Sequence, residues 1–315
     1  MPYTFADYPE LAFAFPFLNL SFQHWDGTLP EEWIEHTTPG HGARVKYNPG
    51  MTYPRALKVS DVGTIAAPDD LDNALEQTID MPSYIENGQV ARLSGCFISE
   101  LSGSGKAVAV TKFTSVLPSP LEYVGMPDSG HTDWHITQAN STANIDTTKT
   151  DLCLSCRVRS NAEADPAALF DCVAVEYGRS ISERYYTFDR KPEFMGIQAY
   201  PFTFVNDERT GVGKRRTWDP TGGVIKWHIE FPFVNIPGAM VEALYDFYMR
   251  NKGLMDSEGV PLVLHHKLID ISESFNLHIP PWIICDIVNT EFPFKFSGGY
   301  LGAKLWSGTL IFEEI

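Results

Sequence analysis

Between residues 19 and 177, apolar and polar positions alternate in short runs that Gly, Pro, Asn, Asp or Ser interrupt every ten residues or so, as at 89–98, 107–113, 134–138, 152–158 and 170–176. A period of two sends successive side chains to opposite faces. Each run therefore reads as a half-buried strand, and strands at this spacing predict a sandwich or barrel. Residues 69–79 fit either a weakly periodic helix or a loop followed by a strand. After Gly178 the pattern changes. Residues 196–205 and 224–233 read as strands joined by a polar segment, 206–223, so a long hairpin is expected over 196–233. One helix is predicted over 238–252: Pro237 stands where proline is tolerated at a helix start, and Met240, Leu244, Phe247 and Tyr248 recur at i, i+4, i+7 and i+8. Arg250 and Lys252 lie at the negative end of the helix dipole, and Gly253 is placed to stop it. Residues 261–269, 282–289 and 300–312 read as further strands. The opening 16 residues are apolar without helical period; they either pack on a neighbouring copy or return to the second module as an extra strand. The expected layout is mainly β: an arm at 1–15, a strand-rich module at 16–178 and a helix-bearing module at 179–315.

Composition and charge support two modules. The chain has 315 residues, longer than one core usually serves, and its net charge of −16 is uneven. Residues 1–177 hold 10 basic and 23 acidic side chains, and residues 178–315 hold 14 and 17. Such a balance argues against sequence-specific nucleic-acid binding, which needs clustered positive charge. The apolar stretch 11–20 is too short to span a bilayer and lacks a basic leader, so no membrane span is expected. Five cysteines form no dense framework and leave at least one unpaired; reduced thilos in a protein folded in a cytoplasm are the simplest reading.

The first module carries an ordered set of landmarks: Asn19-Leu20-Ser21-Phe22 followed by Trp25 and Pro30-Glu31-Glu32-Trp33, then Leu75-Glu76-Gln77-Thr78-Ile79, the segment from Gly88 to Cys96, a strand led by Trp134, and Phe170-Asp171-Cys172-Val173-Ala174-Val175 before Gly178. Together they resemble the carbohydrate-binding jelly rolls of the galactose-binding-like type. The resemblance implies an antiparallel two-sheet sandwich and a structural calcium bridging its first and last strands, at positions matching Asn19, Gln23 and Asp171. Gln23 stands where a Glu is usual and Cys172 where a second Asp is usual, so two anionic ligands are missing. In the alternative, Asp171 hydrogen-bonds the first strand with no ion and the chain needs no cofactor. Glycan binding needs aromatic faces beside polar groups, and the candidates are Trp25, Tyr47, Tyr53, Tyr84 and Trp134. Trp25 and Trp134, with Trp33, match positions that more often serve the core.

From residue 194 onward the chain resembles the β-sandwich-plus-helix subunits of bacteriophage tail tubes and distal tail rings. The likeness lies in the helix from Val241 to Gly253 and in the closing strand around Trp306, Leu310, Phe312 and Glu313. It implies assembly as a ring, sixfold by preference and threefold as the alternative, in a virion tail among other tail proteins. The expected subunit interface is the hairpin tip, with Asp207, Glu208, Arg209, Lys214, Arg215 and Arg216. Mixed charges there can set register between copies, although a solvated loop is the plainer alternative.

Catalytic signatures are lacking. No phosphate-binding loop, nucleophile elbow, metalloprotease helix or dinucleotide fingerprint occurs. His131, Asp133 and His135 read as a polar strand edge, and Cys153 and Cys156, three apart on a strand, as residues on opposite faces. His265 and His266 alternate faces and need no role. The sequence thus favours a non-enzymatic tail-tip or baseplate subunit whose jelly roll contacts host-surface polysaccharide or tail proteins. The rivals are a glycan-binding protein or accessory module of a polysaccharide-degrading enzyme, and a glycoside hydrolase with two carboxylates brought together by the fold.

Overall fold

The computed structural model describes residues 3–5, 7–27, 29–37, 43–47, 56–60, 73–100, 107–113, 116–117, 121–124, 135–160, 167–183, 185–202, 206–209, 215–218, 226–255, 259–270, 282–300 and 303–315. These residues are mainly β with one helix. They fall into two compact units. The sandwich unit spans Leu11–Tyr186; the helix unit combines Met1–Glu10 with Thr187–Phe275 and Pro281–Ile315.

The chain opens with β1 (Tyr3–Phe5) and β2 (Glu10–Ala14), then a short ribbon of β3 (Trp25–Asp26) and β4 (Leu29–Pro30). Next come β5 (Ile34–Thr37), β6 (Ala43–Tyr47), β7 (Ala56–Ser60), β8 (Asn73–Asp80), β9 (Val90–Glu100) and β10 (Ala107–Phe113). β11 (Val116–Leu117), β12 (Leu121–Val124), β13 (His135–Ile145), β14 (Asp151–Ser160) and β15 (Ala167–Tyr177) complete the sandwich unit, and β16 (Tyr186–Thr187) ends it. One of its sheets runs β12-β10-β14-β8-β5; the other carries β11-β13-β9-β15, with β7 pairing the first half of β15 and β2 its last residues. The sheets pack face to face, β10 and β14 against β9 and β15. Alternation builds this core: Leu152, Leu154 and Cys156 of β14 are buried, while Cys153 between them is half-exposed and donates to Glu76. Cys153 and Cys156 therefore do sit on opposite faces, and neither they nor Cys285 form a disulfide. Of the two readings of 69–79, residues 73–80 form a strand, held between β5 and β14.

Several landmark residues of the first module are staples. Asn19, at φ +50, accepts from the His24 amide and donates to the His24 and Glu31 carbonyls, which ties the β3–β4 ribbon together. Gln77 points into the core and clamps the entering chain, accepting from Leu18 N–H at 2.7 Å and donating to the Leu18 and Glu32 carbonyls. Arg92 and Glu176, opposite each other on β9 and β15, form a buried ion pair, and the Tyr185 ring lies 4.5 Å over the guanidinium.

The helix unit continues with a single 3-10 turn (Phe194–Gly196), β17 (Gln198–Phe202), β18 (Asn206–Arg209), β19 (Arg215–Trp218) and β20 (Lys226–Pro237). It then holds α1 (Gly238–Asn251), β21 (Leu262–His265), β22 (Leu268–Asp270), β23 (Ile283–Ile287), β24 (Lys295–Tyr300) and β25 (Ala303–Glu314). Its main sheet runs β21-β23-β25-β20-β17, with β24 beside the start of β25 and α1 packed on β20, β23 and β25. The start of the opening arm joins this unit, β1 pairing with β22 with Tyr3 opposite Asp270, so residues 3–5 supply an extra strand to the second module, whereas Leu11–Ala14 belong to the sandwich unit.

The helix ends as its sequence suggests. Gly253, at φ +65, donates to the Arg250 carbonyl and Leu254 to that of Met249, a Schellman closure. Asn251 pins this end, donating to the Val260 carbonyl and Asp286 and accepting from Ile287 N–H. One expected single strand is two, since Lys267 adopts φ +55 between β21 and β22. The expected closing strand is β25, and β24, which the sequence did not suggest, pairs with it as a hairpin. The core holds a chain of aromatic rings from Tyr248 through Phe292, Phe294 and Phe233 to Phe231 and Phe312. Gly308 passes so close to the 293–294 backbone that an added Cβ would lie 2.6 Å from the Pro293 oxygen. Gly308→Ala is expected to destabilise the helix unit by about 1–3 kcal/mol, because backbone rather than a movable side chain must yield. Amide exchange at Phe294 would read this directly.

Candidate functional site

Along β20 the odd positions Trp227, Ile229, Phe231 and Phe233 are buried in the core, so the even positions face the other way. Register then assembles a row that no single segment contains. Tyr200 of β17 lies opposite His228, and His228 lies opposite Glu313 of β25, which is itself opposite Asp286 of β23. The Tyr200 and His228 rings stack at 4.6 Å between centroids, 20° from parallel. His228 Nδ1 is 2.8 Å from Glu313 Oε1, and its Nε2 is 3.2 Å from Glu230 Oε1. An imidazole with carboxylates on both nitrogens donates to both only as the imidazolium. The carboxylates are the wetter partners: the Glu313 and Glu230 side chains are 37% and 25% exposed against 11% for His228.

This face is electronegative. The Tyr200 phenol is held above the ordinary tyrosine range, first by desolvation against the sheet and then by the charges of Glu230 and Glu313. Glu313→Gln should lower its titration midpoint without fully restoring the ordinary value, because desolvation remains. Nuclear magnetic resonance of ring-labelled tyrosine against pH would follow the shift, and an unchanged midpoint would contradict the geometry.

The expected interface residues lie on a real hairpin. β17 pairs with β20 from Gln198–Glu230 to Phe202–Lys226, and beyond it β18 pairs with β19 as a two-stranded ribbon. Asp207 is opposite Thr217, Glu208 opposite Arg216, and Arg209 opposite Arg215. Lys214 lies outside the described residues. Exposed large apolar side chains of the helix unit include Met195, Val234, Tyr245, Leu254, Met255 and Phe296.

In the sandwich unit the predicted residues are more dispersed. The first and last landmark motifs do meet, since Val173 N–H donates to the Leu20 carbonyl at 3.0 Å. Asp171 is fully buried there, Gln23 reaches Ser21, and the Asn19 oxygen serves the His24 amide. This set offers calcium a single carboxylate, and among the described residues no group of three His, Cys, Asp or Glu could hold a metal. Such donors fit calcium poorly. Of the glycan candidates, half-buried Trp25 donates to the Phe22 carbonyl at 2.6 Å, and Tyr84 stacks on Tyr177 at 6.5 Å. Tyr47 ends β6. Tyr53 and Trp134 lie outside the described residues, as do His131 and Asp133; His135 begins β13. His265 and His266 are both buried, and His266 Nδ1 accepts from Leu268 N–H.

No protein-family model and no curated protein matches the chain. Solved structures similar to it include a family 61 carbohydrate-binding module in complex with β-1,4-galactotriose (15% identity, 51% of this chain and 97% of that one, TM-score 0.33). A second is a family 4 carbohydrate-binding module (14% identity, 50% and 97% covered, TM-score 0.31). A third is the enzymatically active domain of tailspike protein 4 of bacteriophage CBA120 (13% identity, TM-score 0.35), where the match covers 51% of this chain but only 21% of that one. At these scores the likenesses assign neither ligand nor partner to this chain.

The sequence did not single out Tyr200, His228 and Glu230, and named Glu313 only as part of the closing strand, although the even-position polar residues of 226–230 were a visible signal inside a strand that is otherwise apolar.

Proposed function

We propose that the chain is a structural, non-catalytic subunit of a bacteriophage tail tip or baseplate. Copies of it assemble as a ring through the helix unit, while the sandwich unit contacts host-surface polysaccharide or other tail proteins. The observation that carries this reading is the antiparallel pairing of β18 with β19: it orders a charged segment as a ribbon, where a long connection without a role of its own is uncommon in a compact unit.

Negative-stain images of the purified full chain test the reading. Closed rings of six, or of three, are expected; particles the size of a single chain at tens of micromolar would overturn it. The glycan-binding alternative draws on the two-sheet sandwich, whose β8–β14 outer positions Glu76, Thr78, Asp80 and Asp151 are polar. A glycan array probed with the full chain separates the two. Binding without rings favours the alternative, and rings without binding leave the sandwich unit a contact for tail proteins.

A further inference from the structure

We propose that the Arg190–Lys295–Phe296 corner of the helix unit's main sheet in one copy docks on the Tyr200–His228–Glu230–Glu313 corner of the same sheet in the next copy. This names the contact of the ring described above and rests on that reading.

The basic corner is ordered by Asn235. At φ +56 this residue lies in the bulge of β20 against β25. Its amide donates to Ser307 Oγ, its side-chain oxygen accepts from Ser297 Oγ, and its carbonyl accepts from Arg190 Nη1 at 3.1 Å. Lys295 stands directly opposite Ser307. Arg190 and Lys295 are both exposed, and neither forms an ion pair among the described residues. Phe296 beside them is 59% exposed, with its ring set edge to face on Trp306 at 5.9 Å. Asp189, Lys191 and Glu193 flank Arg190 in sequence; three basic side chains against two acidic ones leave this corner positive.

The acidic corner is its complement. Glu230 and Glu313 flank one imidazole, so even a protonated His228 leaves one negative charge over. Asp286 follows Glu313 in the same row; Lys226, two residues along β20, is the basic group on this side, and Glu314 is occupied with the Trp227 amide. Tyr200 is 42% exposed beside these carboxylates and offers its ring to a guanidinium. Arginine is suited to this contact, since its planar fork can take a carboxylate bidentately and stack on tyrosine. The two corners cannot meet within one chain. Ser307 and Glu313 lie on one face of β25, separated along it by about 20 Å, and β25 is a single unbroken strand. Between copies they can meet, and because they are different surfaces the contact is heterologous and can propagate around a closed ring.

The test uses full-length chains with charges reversed, followed by analytical ultracentrifugation. One carries Arg190→Glu and Lys295→Glu, the other Glu230→Lys and Glu313→Lys. Each alone is expected to associate at least ~100-fold more weakly than the unaltered chain, because like charges then face each other across the contact. Mixed one to one, they should assemble again, each reversed basic corner meeting a reversed acidic one; a sixfold ring closes in alternation, whereas a threefold ring stays open as chains of mixed copies. The first variant changes two exposed side chains and no core residue, so its loss of assembly cannot come from a damaged sheet if its thermal unfolding matches that of the unaltered chain. Reversed chains that assemble like the unaltered one, or a mixture that stays dissociated, would overturn the docking proposal while leaving the ring intact. An unaltered chain that never associates would overturn both.

Discussion

Replacing Glu176 with alanine is expected to destabilise the sandwich unit by about 3–5 kcal/mol, among the largest effects of any single change there. Arg92 and Glu176 are 6% and 0% exposed, and they face each other across β9 and β15. Removing the acid leaves a guanidinium, with the Tyr185 ring beside it, in a site that water reaches poorly. The cost is thus mainly that of a buried charge deprived of its acid, not of the lost attraction. That distinction can be tested. Changing both partners, Arg92→Met with Glu176→Leu, should recover most of the loss, because two apolar side chains need no partner. Amide exchange at Leu93 and Val175 reports on this unit alone. A double variant as unstable as Glu176→Ala would mean that the pair is needed for its own geometry.

The second large effect lies in the helix unit. Phe231 is fully buried and meets Phe188, Phe233 and Phe312 edge to face, with centroids 6.4, 6.5 and 5.9 Å away. Phe231→Ala should cost about 3–5 kcal/mol, since it removes transfer energy, opens a cavity and breaks three aromatic contacts at once. The ring contact should go with it, because β20 carries the core at its odd positions and the Glu230–His228 face at its even ones. Exchange at Ile229 and Phe312 measures the stability change and sedimentation measures the assembly. Intact assembly in a chain so weakened would show that the sheet is not what holds the contact.

How far the fold could be read from sequence depended on the range of the signal. The helix was legible because its evidence is local: Pro237, the i, i+4 apolar positions and Gly253 lie within one short window. β10 was legible for the same reason, an alternating run bounded by polar turns. Where a boundary depends on one backbone torsion the reading blurred. Lys267 at φ +55 splits one apolar run into β21 and β22, and nothing in its side chain announces it. Residues 73–80 looked ambiguous because Gln77, a polar residue at a core position, breaks the apolar rhythm in order to clamp Leu18 and Glu32. The candidate site was the least legible part. Tyr200, His228 and Glu313 come from three strands and meet only through register, which a single sequence does not encode in any local pattern. The charges of 206–216 were visible, but the opposition of Arg209 and Arg215 again needed the pairing.

The account rests on copies of the helix unit holding one another, and native mass spectrometry of the full chain over a range of concentrations tests this most directly. A dominant species of six chain masses, or of three, with few intermediates, is the predicted result. A single chain mass at every concentration would contradict it.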